Sequence, residues 1–228
     1  MKTIALINPN TSQATTAMMV DIIRRYLPPE FSVAGLTATI GVPMILDENA
    51  LSASANGVIE MGIKAVADNQ ISGIVIGAFG DPGIEVLRTS VAVPVVGLCE
   101  ASLLEASRDG RRFGIATVTP DLVSSFAAKA ESLGLSPLFT GTRLTPGDPL
   151  RLAGDPARLH EALAIATRES IERDRAEAVI IGGGPLGQAA ESLRDLFTVP
   201  IIAPLASAAS MLMREIATRR VVGLETAG

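Results

Sequence analysis

The stretch GIVIGAFGDPG, residues 73–83, decides the fold that we predict for this chain. In it, an apolar run leads into a glycine-rich turn that carries one carboxylate, Asp81. The stretch AVIIGGGPLG, residues 178–187, repeats this pattern in the second half of the chain. Continuous apolar runs are typical of parallel strands covered on both faces, and open α/β sheets bind ligands beyond the carboxyl ends of such strands. Both glycine turns are therefore candidate walls of a binding site.

Two further segments recur in the same order around the glycine turns. IALINP at residues 4–9 has a counterpart in FGIATVTP at residues 113–120, and VPVV at residues 93–96 has one in VPII at residues 199–202. Three matches in register indicate two similar halves, and strands that alternate with helices indicate parallel sheets with right-handed crossovers. The predicted fold class is α/β, with two similar pseudo-symmetric domains, each a parallel four-stranded sheet flanked by helices, and a ligand cleft between them.

The predicted strands are short and lie between helical segments. A long helix is predicted over residues 49–68. A last helix, over residues 206–218, is expected to pack back across both halves. The predicted domains are residues 1–97 with 207–228, and residues 98–206. The predicted strands cover residues 3–7, 32–37, 73–76, 93–97, 113–118, 137–140, 178–181 and 199–202.

Composition limits the classes of function. The chain has 228 residues, 48% of them hydrophobic and 19% charged, which is typical of a folded globular protein. A formal charge of −5 without a basic cluster argues against nucleic-acid binding. We expect no membrane contact, because no apolar run reaches the ~20 residues that span a bilayer. The apolar run at the amino terminus is too short for a signal peptide, so we predict a cytoplasmic protein.

The cleft between the halves is predicted to bind a small molecule through uncharged groups. Backbone amides, hydroxyls and carboxamides at the strand ends suit a small carboxylate, amide or ureide. Neither glycine turn has the G-x-G-x-x-G spacing of a dinucleotide site, and no Walker sequence occurs. Tight turns without any ligand are the alternative interpretation. The predicted ligand-binding residues are Asn8, Asn10, Thr11, Ala78, Phe79, Gly80, Thr117, Thr119, Gly183, Gly184 and Pro185.

A few ionisable residues are candidates for chemistry. Two roles are open for Asp81: transferring a proton, or bracing its own turn through backbone hydrogen bonds. Glu100 is the second candidate catalytic group, although a carboxylate there also favours the positive end of a helix. Cys99, the single cysteine, is expected to be a small buried residue, and His160, the single histidine, is expected on a solvated helix surface. No metal site and no cofactor are predicted.

Four motifs resemble one known family. INPNTS at residues 7–12, GAFGDPG at 77–83, VVGLCEA at 95–101 and GGGPL at 182–186 are similar to the hydantoin-racemase branch of the aspartate/glutamate racemase superfamily. The resemblance covers nearly the whole chain. It implies two similar α/β domains with the site between them. It also implies a reaction without cofactor, in which two cysteines on opposite walls remove and return an α-proton.

At the two positions where the resemblance places the family's thiols, this sequence has an alanine and a glycine. The first thiol position, after Gly77, holds Ala78, and the second, after Gly182, holds Gly183. The two-thiol mechanism is therefore not expected, although arylmalonate decarboxylase, a relative of the family, works with one cysteine. What the resemblance implies is a racemase or isomerase that acts beside the carbonyl of a small acid, amide or cyclic ureide.

Two alternative functions stay open beside the racemase. One is a hydrolase or a decarboxylase-like lyase on the same scaffold. The other is a catalytically inactive protein that binds a small molecule. Homo-oligomer formation is also expected, since the mean hydropathy is +0.39 and the helix at residues 51–67 carries apolar residues on several faces.

Overall fold

The computed structural model describes residues 2–67 and 70–225. Eight parallel strands form its framework: β1 (Lys2–Asn8), β2 (Phe31–Thr37), β3 (Ile71–Ile76), β4 (Val95–Gly97), β5 (Phe113–Thr117), β6 (Phe139–Leu144), β7 (Ala178–Ile181) and β8 (Ile201–Ile202). The first four form one sheet in the order β2-β1-β3-β4, and the others form a second sheet in the order β6-β5-β7-β8. Because the two orders are equivalent, the predicted duplication of a four-stranded α/β unit is confirmed.

Helices alternate with the strands and cover the sheets. Polar residues begin several of them, since the side chain of Ser12 accepts from the N–H of Thr15 and that of Asp47 accepts from the N–H of Ala50. The helices are α1 (Gln13–Arg24), α2 (Glu48–Val66), α3 (Ile84–Ser90), α4 (Leu98–Ala106), α5 (Val123–Ser132), α6 (Pro149–Ala153), α7 (Pro156–Glu172), α8 (Gly187–Leu193) and α9 (Pro204–Glu225).

The central strand of the first sheet is apolar on both faces, as its continuous run predicts. Ile4 and Leu6 pack in one buried cluster with residues of α1 and α9. Ala5 and Ile7 pack in another with residues of α2 and α3. Alternating side chains of a strand point to opposite faces, so β1 lies between two layers of helices. Its polar end, Asn8, is thereby delivered to the loop where the candidate site begins.

Several predicted boundaries differ from the structure. The sixth strand covers β6 rather than residues 137–140, because the chain first turns through the bond from Leu138 N to Leu135 O and pairs with β5 from Phe139 onward. The eighth strand is shorter than predicted, and α6 and α8 were not predicted. The long helix ends at Val66, and the predicted end at residue 68 lies outside the described residues.

The last helix packs on the first sheet. A Cβ built on Gly73 of β3 would lie 2.8 Å from Leu212 Cδ1 of α9, so the absence of a side chain lets the helix approach the strand closely. This packing agrees with grouping the carboxyl-terminal helix with the first half, and the exact domain division stays a prediction. None of the helices in the described part is both long and apolar enough to cross a membrane.

Candidate active site

A cavity of about 40 Å³ lies where the glycine turns after β3 and β7 meet. Its volume is enough for about three water molecules. Among the described residues no charged side chain contributes to its lining. The lining residues are Asn10, Met44, Ile45, Leu51, Gly77, Ala78, Phe79, Val118, Thr119, Leu122, Phe126, Gly182, Gly183, Gly184, Pro185 and Leu186.

The first glycine turn presents unpaired backbone amides. Gly77 N donates to Ile7 O at 2.7 Å, which extends the ladder between β3 and β1 by one residue. No backbone carbonyl in the described ranges accepts from the next two N–H groups, those of Ala78 and Phe79. Both residues are buried and both line the cavity. Because buried N–H groups are nearly always paired, these two are available as donors to a ligand.

The second glycine turn is built in the same way. Gly182 N donates to Ala116 O at 2.9 Å, and the N–H of the next residue, Gly183, has no backbone acceptor within residues 2–67 and 70–225. The hydroxyl of Thr117 donates to Gly182 O at 2.7 Å and fixes the carbonyl of the turn. Each half of the molecule thus supplies at least one free amide at the equivalent place.

The two turns touch each other through backbone atoms. A Cβ built on Gly184 would lie 2.5 Å from the carbonyl oxygen of Gly77, well inside van der Waals contact. A Cβ on Gly182 would lie 2.8 Å from Ile115 Cγ2 and 3.1 Å from the ring of Phe79. Glycine is therefore required at both positions for the walls to come this close.

Asn10 contributes a side-chain donor. Its carboxamide oxygen accepts from Asn8 Nδ2 at 2.8 Å and from Ser12 N at 2.9 Å. Its Nδ2 group is left to donate into the cavity, which Asn10 lines. Asn8 itself is fully buried and also donates to the hydroxyl of Thr16 at 2.9 Å. Asn8 therefore holds the loop after β1 in place and does not line the cavity.

Thr119 contributes an acceptor. Thr117 donates its single hydroxyl proton to Gly182 O. In the 3.2 Å hydrogen bond between the hydroxyls of Thr117 and Thr119, Thr119 must therefore be the donor. The oxygen of Thr119 then has lone pairs free for a ligand N–H. The cavity therefore combines amide donors from both walls with one hydroxyl acceptor.

The structure does not bring Asp81 into the cavity lining. Its carboxylate oxygens accept hydrogen bonds of 2.8 Å from the N–H groups of Cys99 and Glu100, which belong to the first turn of α4. A Cβ on Gly97 would lie 2.1 Å from Asp81 Cγ, so that glycine makes room for the carboxylate. Burial raises the pKa of Asp81 to about 6, while the two amides and Lys129 oppose this shift. The carboxylate therefore holds the start of α4 and does not bond within its own turn, which differs from the expected bracing role, and its position outside the cavity lining does not support the expected catalytic role.

Glu100 is likewise held away from the cavity. Its two carboxylate oxygens lie 3.1 and 3.0 Å from the guanidinium nitrogens of Arg88. Lys129 Nζ, on α5 of the second half, lies 3.7 Å from Glu100 and 3.9 Å from Asp81. These charges join the first glycine turn to α5, which makes the cluster a connection between the halves. The expected catalytic role of Glu100 is not supported by this position either.

The single cysteine and the single histidine lie outside the cavity. Cys99 is fully buried on α4, and its pKa is raised well above the ordinary value by that burial, with the charge of Asp81 adding to the effect. A thiol held neutral in the core is a packing residue. His160 lies partly exposed on α7 and lines a separate surface depression. Both expectations for these residues agree with the structure.

Most of the predicted ligand-binding residues line the cavity. These are Asn10, Ala78, Phe79, Thr119, Gly183, Gly184 and Pro185. The others, Asn8, Thr11, Gly80 and Thr117, support the walls without lining them. Thr11 N donates to Val42 O at 3.0 Å, for example, and a Cβ on Gly80 would lie 2.7 Å from Leu51 Cδ2.

The apolar part of the lining was missed by sequence reasoning. Leu51 comes from α2, Phe126 from α5, and Met44 and Ile45 from the loop after β2. The rings of Phe79 and Phe126 meet edge to face at 5.0 Å. Such residues carry no motif, since their place in the site depends on how separate helices pack. The spacing of apolar residues within each helix indicates that these side chains are buried. It does not indicate which other elements they pack against.

A wider apolar depression adjoins the cavity. Its volume is about 390 Å³, and it shares Met44, Val118, Pro185 and Leu186 with the cavity lining. Leu150 on α6 and Ser12 lie on its far side. A ligand that places its polar ring in the small cavity can therefore extend a substituent into this depression. No charged side chain of the described residues lines the depression.

The cavity lining can stabilise negative charge, but its described residues supply no group that transfers a proton. Amides and the Nδ2 group of Asn10 can stabilise negative charge on a ligand oxygen. No ionisable side chain of the described residues lines the cavity, so none is placed to transfer a proton directly. Within the described part of the chain there is also no group of three or more histidine, cysteine or acidic residues arranged to hold a metal ion.

Comparison with known proteins places these features in a family context. The family model for Asp/Glu/hydantoin racemases matches residues 4–212. The chain is similar to the hydantoin racemase of Pseudomonas sp. (strain NS671), with 30% identity over 199 residues, which are 87% of this chain and 80% of that protein.

Solved structures give the same picture. The allantoin racemase from Klebsiella pneumoniae aligns with a TM-score of 0.89 and 26% identity, covering 96% of this chain and 89% of that one. Unliganded arylmalonate decarboxylase aligns with a TM-score of 0.65 and 17% identity, covering 95% and 93% of the two chains. The second likeness shows the fold alone.

Proposed function

The chain belongs to the Asp/Glu/hydantoin racemase family, and from this premise we propose that it is a racemase-like enzyme that needs no cofactor and acts beside the carbonyl of a small cyclic ureide or amide. The observation that carries the proposal is the alternation of donors and acceptor around the cavity. The amides of Ala78, Phe79 and Gly183 donate, whereas the hydroxyl of Thr119 accepts. A ureide offers both carbonyl oxygens and N–H groups, while a carboxylate can only accept. The ureide therefore fits better.

The proposed role of the amides is to stabilise an enolate. Removing a proton beside a carbonyl moves negative charge onto the carbonyl oxygen, and preorganised N–H groups in a largely apolar cavity lower the cost of that charge. One such donor is worth about 10²–10³ in rate in other enzymes. Because each wall supplies amides, the ligand can be held between the walls with both faces of its reacting carbon open to the cavity.

Proton transfer is proposed to use water, since the resemblance assigns Ala78 and Gly183 to the thiol positions. In this proposal, water or hydroxide on one face takes the α-proton, the electron pair of the C–H bond forms a C=C bond, and the π pair of the carbonyl moves to its oxygen. Water on the other face then returns a proton to the carbon as the carbonyl re-forms, and the hydroxide that this leaves either replaces the one consumed or is neutralised by the proton taken first. Because the cavity itself holds only about three water molecules, a ligand ring and the two waters fit together only if the ligand extends into the adjoining depression.

The proposal is tested by proton exchange in D₂O. Single enantiomers of hydantoins with different substituents, and of allantoin, are incubated with the protein while NMR follows the α-proton and any product. We expect deuterium uptake together with loss of optical purity. Gly57→Ala, in α2 with nothing within 4 Å of the new Cβ, is a control that should behave as the wild type. Absence of uptake across the panel would contradict the racemase proposal.

A catalytically inactive binding protein is the second candidate, and it is favoured because none of the described residues that line the cavity has an ionisable side chain. Thermal-shift measurements with the same compounds separate the two. Stabilisation without exchange or product supports the binding protein, and product without exchange supports the hydrolase or lyase alternative. Exchange of the α-proton in the same compounds that stabilise the protein supports the racemase.

Installing thiols tests the assignment of the two wall positions. Ala78→Cys together with Gly183→Cys should raise the exchange rate by about 100-fold or more, because positioned acid–base groups contribute at least that much. At position 183 the backbone φ is +159°, which L side chains rarely adopt, and the new Cβ would lie 3.0 Å from the side chain of Leu186, so thermal denaturation checks that the variant is folded. The exchange assay compares this variant with Gly57→Cys, whose thiol is remote from the cavity. An unchanged rate in both would contradict the assignment.

A further inference from the structure

A second cleft lies outside the cavity between the walls. Its volume is about 270 Å³, and its lining comes from α4, α9, the end of β8 and the segments that follow α1 and α8. Three arginines, Arg108, Arg194 and Arg214, line it together with one carboxylate, that of Glu105, so the lining carries more positive than negative charge. The chain as a whole carries a formal charge of −5, so this concentration of positive charge is local.

Two of the arginines are partly compensated, and the third is not. Arg108 pairs with Glu105 at 3.1 Å. Arg194 donates to the hydroxyl of Tyr26 at 2.8 Å and lies 3.9 Å from Glu191. No carboxylate within the described ranges lies within 4.0 Å of the Arg214 guanidinium, so its full charge is available. Even the paired guanidiniums keep further N–H donors, since each has five.

The helix that carries Arg214 adds the hydroxyl of a largely buried serine. Ser207 is 7% exposed and lines the cleft, yet its hydroxyl has no hydrogen-bond partner among the described residues. Ser207, Ser210 and Arg214 are spaced by three and four positions, so they lie on one face of α9. That face begins in the first turns of a long helix, where the backbone dipole favours negative charge. The Ser207 hydroxyl and the Arg214 guanidinium, neither of them held by a partner within the described residues, are thus two donors that an anion in the cleft could engage.

We propose that this cleft binds a small oxyanion with at least two negative charges, such as a phosphate group or a dicarboxylate. Guanidinium groups match the oxygens of phosphate and carboxylate through paired N–H bonds, and the two serine hydroxyls supply further donors. The cleft is larger than a single phosphate, so it can hold a phosphorylated small molecule or a dicarboxylate. The site shares no lining residue with the cavity between the walls, and the proposal does not depend on the racemase-like activity.

Calorimetric titration tests the site at constant ionic strength. Inorganic phosphate and succinate are the two probes, with chloride as the reference, and the anion that binds more tightly identifies the chemistry. Arg214→Gln should weaken binding of that anion about tenfold, the loss expected for one hydrogen bond to a charged group. Arg168→Gln is the matched control, because it removes one exposed arginine from α7 and leaves the same net charge.

The control should bind as the wild type does. Because Arg168 and Arg214 are both exposed, neither variant is expected to unfold, and thermal denaturation checks this. Binding of phosphate or succinate that is no tighter than binding of chloride would overturn the proposal. Equal weakening in the two variants would also overturn it, since the effect would then be one of net charge.

Discussion

The two glycine turns present similar amides but are braced by different chemistry. The first turn is held by a buried carboxylate, because Asp81 accepts from two N–H groups of α4. The second turn is held by a hydroxyl, because Thr117 donates to Gly182 O. The N–H groups that follow Gly77 on one wall and Gly182 on the other have no backbone acceptor among the described residues.

Because the two braces differ, any feature that both walls keep stands out. The braces differ in residue type, in charge and in the element that they hold. What the walls share is the placement of unpaired amides beside one cavity. We therefore regard the amides as the functional groups and the side chains around them as supports. Removing one support or one contact at a time measures how much the walls depend on it.

The largest effect is expected from the carboxylate brace. Asp81→Ala leaves two buried N–H groups without acceptors and should lower the free energy of unfolding by about 3–5 kcal/mol at pH 7.5. Asp155→Ala is the matched control, since Asp155 is an exposed residue whose side chain also caps a helix, α7. That change should cost about 1 kcal/mol. Urea denaturation measures both, and equal losses would mean that burial adds nothing to the brace at Asp81.

The pH dependence of stability tests the charge state of the same brace. Burial raises the pKa of Asp81 from 3.8 to about 6. The native state therefore binds the proton more tightly than the unfolded chain does, so the contribution of Asp81 to stability is greatest below about pH 4 and falls as the pH rises to about 6. The fall should amount to roughly 3 kcal/mol.

Comparison with Asp81→Asn isolates this contribution, because asparagine does not titrate. Urea denaturation of both proteins is measured from pH 4 to pH 8. The stability of the wild type relative to the variant should decrease up to about pH 6 and then stay constant. A relative stability that increases with pH would show that the two amides and Lys129 outweigh burial and lower the pKa.

The contact between the walls is tested next. Gly184→Ala places a Cβ 2.5 Å from the carbonyl oxygen of Gly77, so the walls must separate. We expect a loss of about 2 kcal/mol in the free energy of unfolding and loss of ligand binding. Gly57→Ala, in open space on α2, should instead stabilise the protein by about 0.5–1 kcal/mol. Unchanged ligand binding by Gly184→Ala would contradict the requirement for close walls.

The smallest effect is expected from the hydroxyl brace. Thr117→Val keeps the shape of the side chain and leaves Gly182 O without its donor, which should cost about 1–2 kcal/mol. Thr89→Val is the control, since its exposed hydroxyl bonds to Val86 O within the same helix and its loss should cost under about 0.5 kcal/mol. Thermal denaturation compares the two variants. A Thr117→Val loss larger than that of Asp81→Ala would reverse the ranking of the two braces.

The fold could be predicted from the sequence because its signals are local. An apolar run that ends in glycine identifies β3 and β7 with their turns, and the recurrence of that pattern identifies the duplication. The wall residues Ala78, Phe79 and Gly183 follow directly from those strands. Lining residues such as Phe126 could not be predicted, since helix α5 reaches the cavity only through packing between the halves.

The role of Asp81 shows a second limit. From the sequence, Asp81 is expected either to bond within its own turn or to transfer a proton. The partners of its carboxylate are amides 18 and 19 positions later, on a helix of which the sequence gives no orientation. The two threonines at the end of β5, Thr117 and Thr119, show the same limit, since their spacing does not tell which hydroxyl braces the turn and which lines the cavity. Homo-oligomer formation and the cytoplasmic location stay predictions.

The most direct test of the account is an NMR titration of the backbone amides. ¹⁵N-labelled protein is titrated with the hydantoin that gives the largest thermal shift, and resonances are followed across both walls. We predict that the amides of Ala78, Phe79 and Gly183 shift together along one saturation curve. Amides on both walls that stay unperturbed while the ligand binds elsewhere would contradict the claim that the duplicated turns form the binding site.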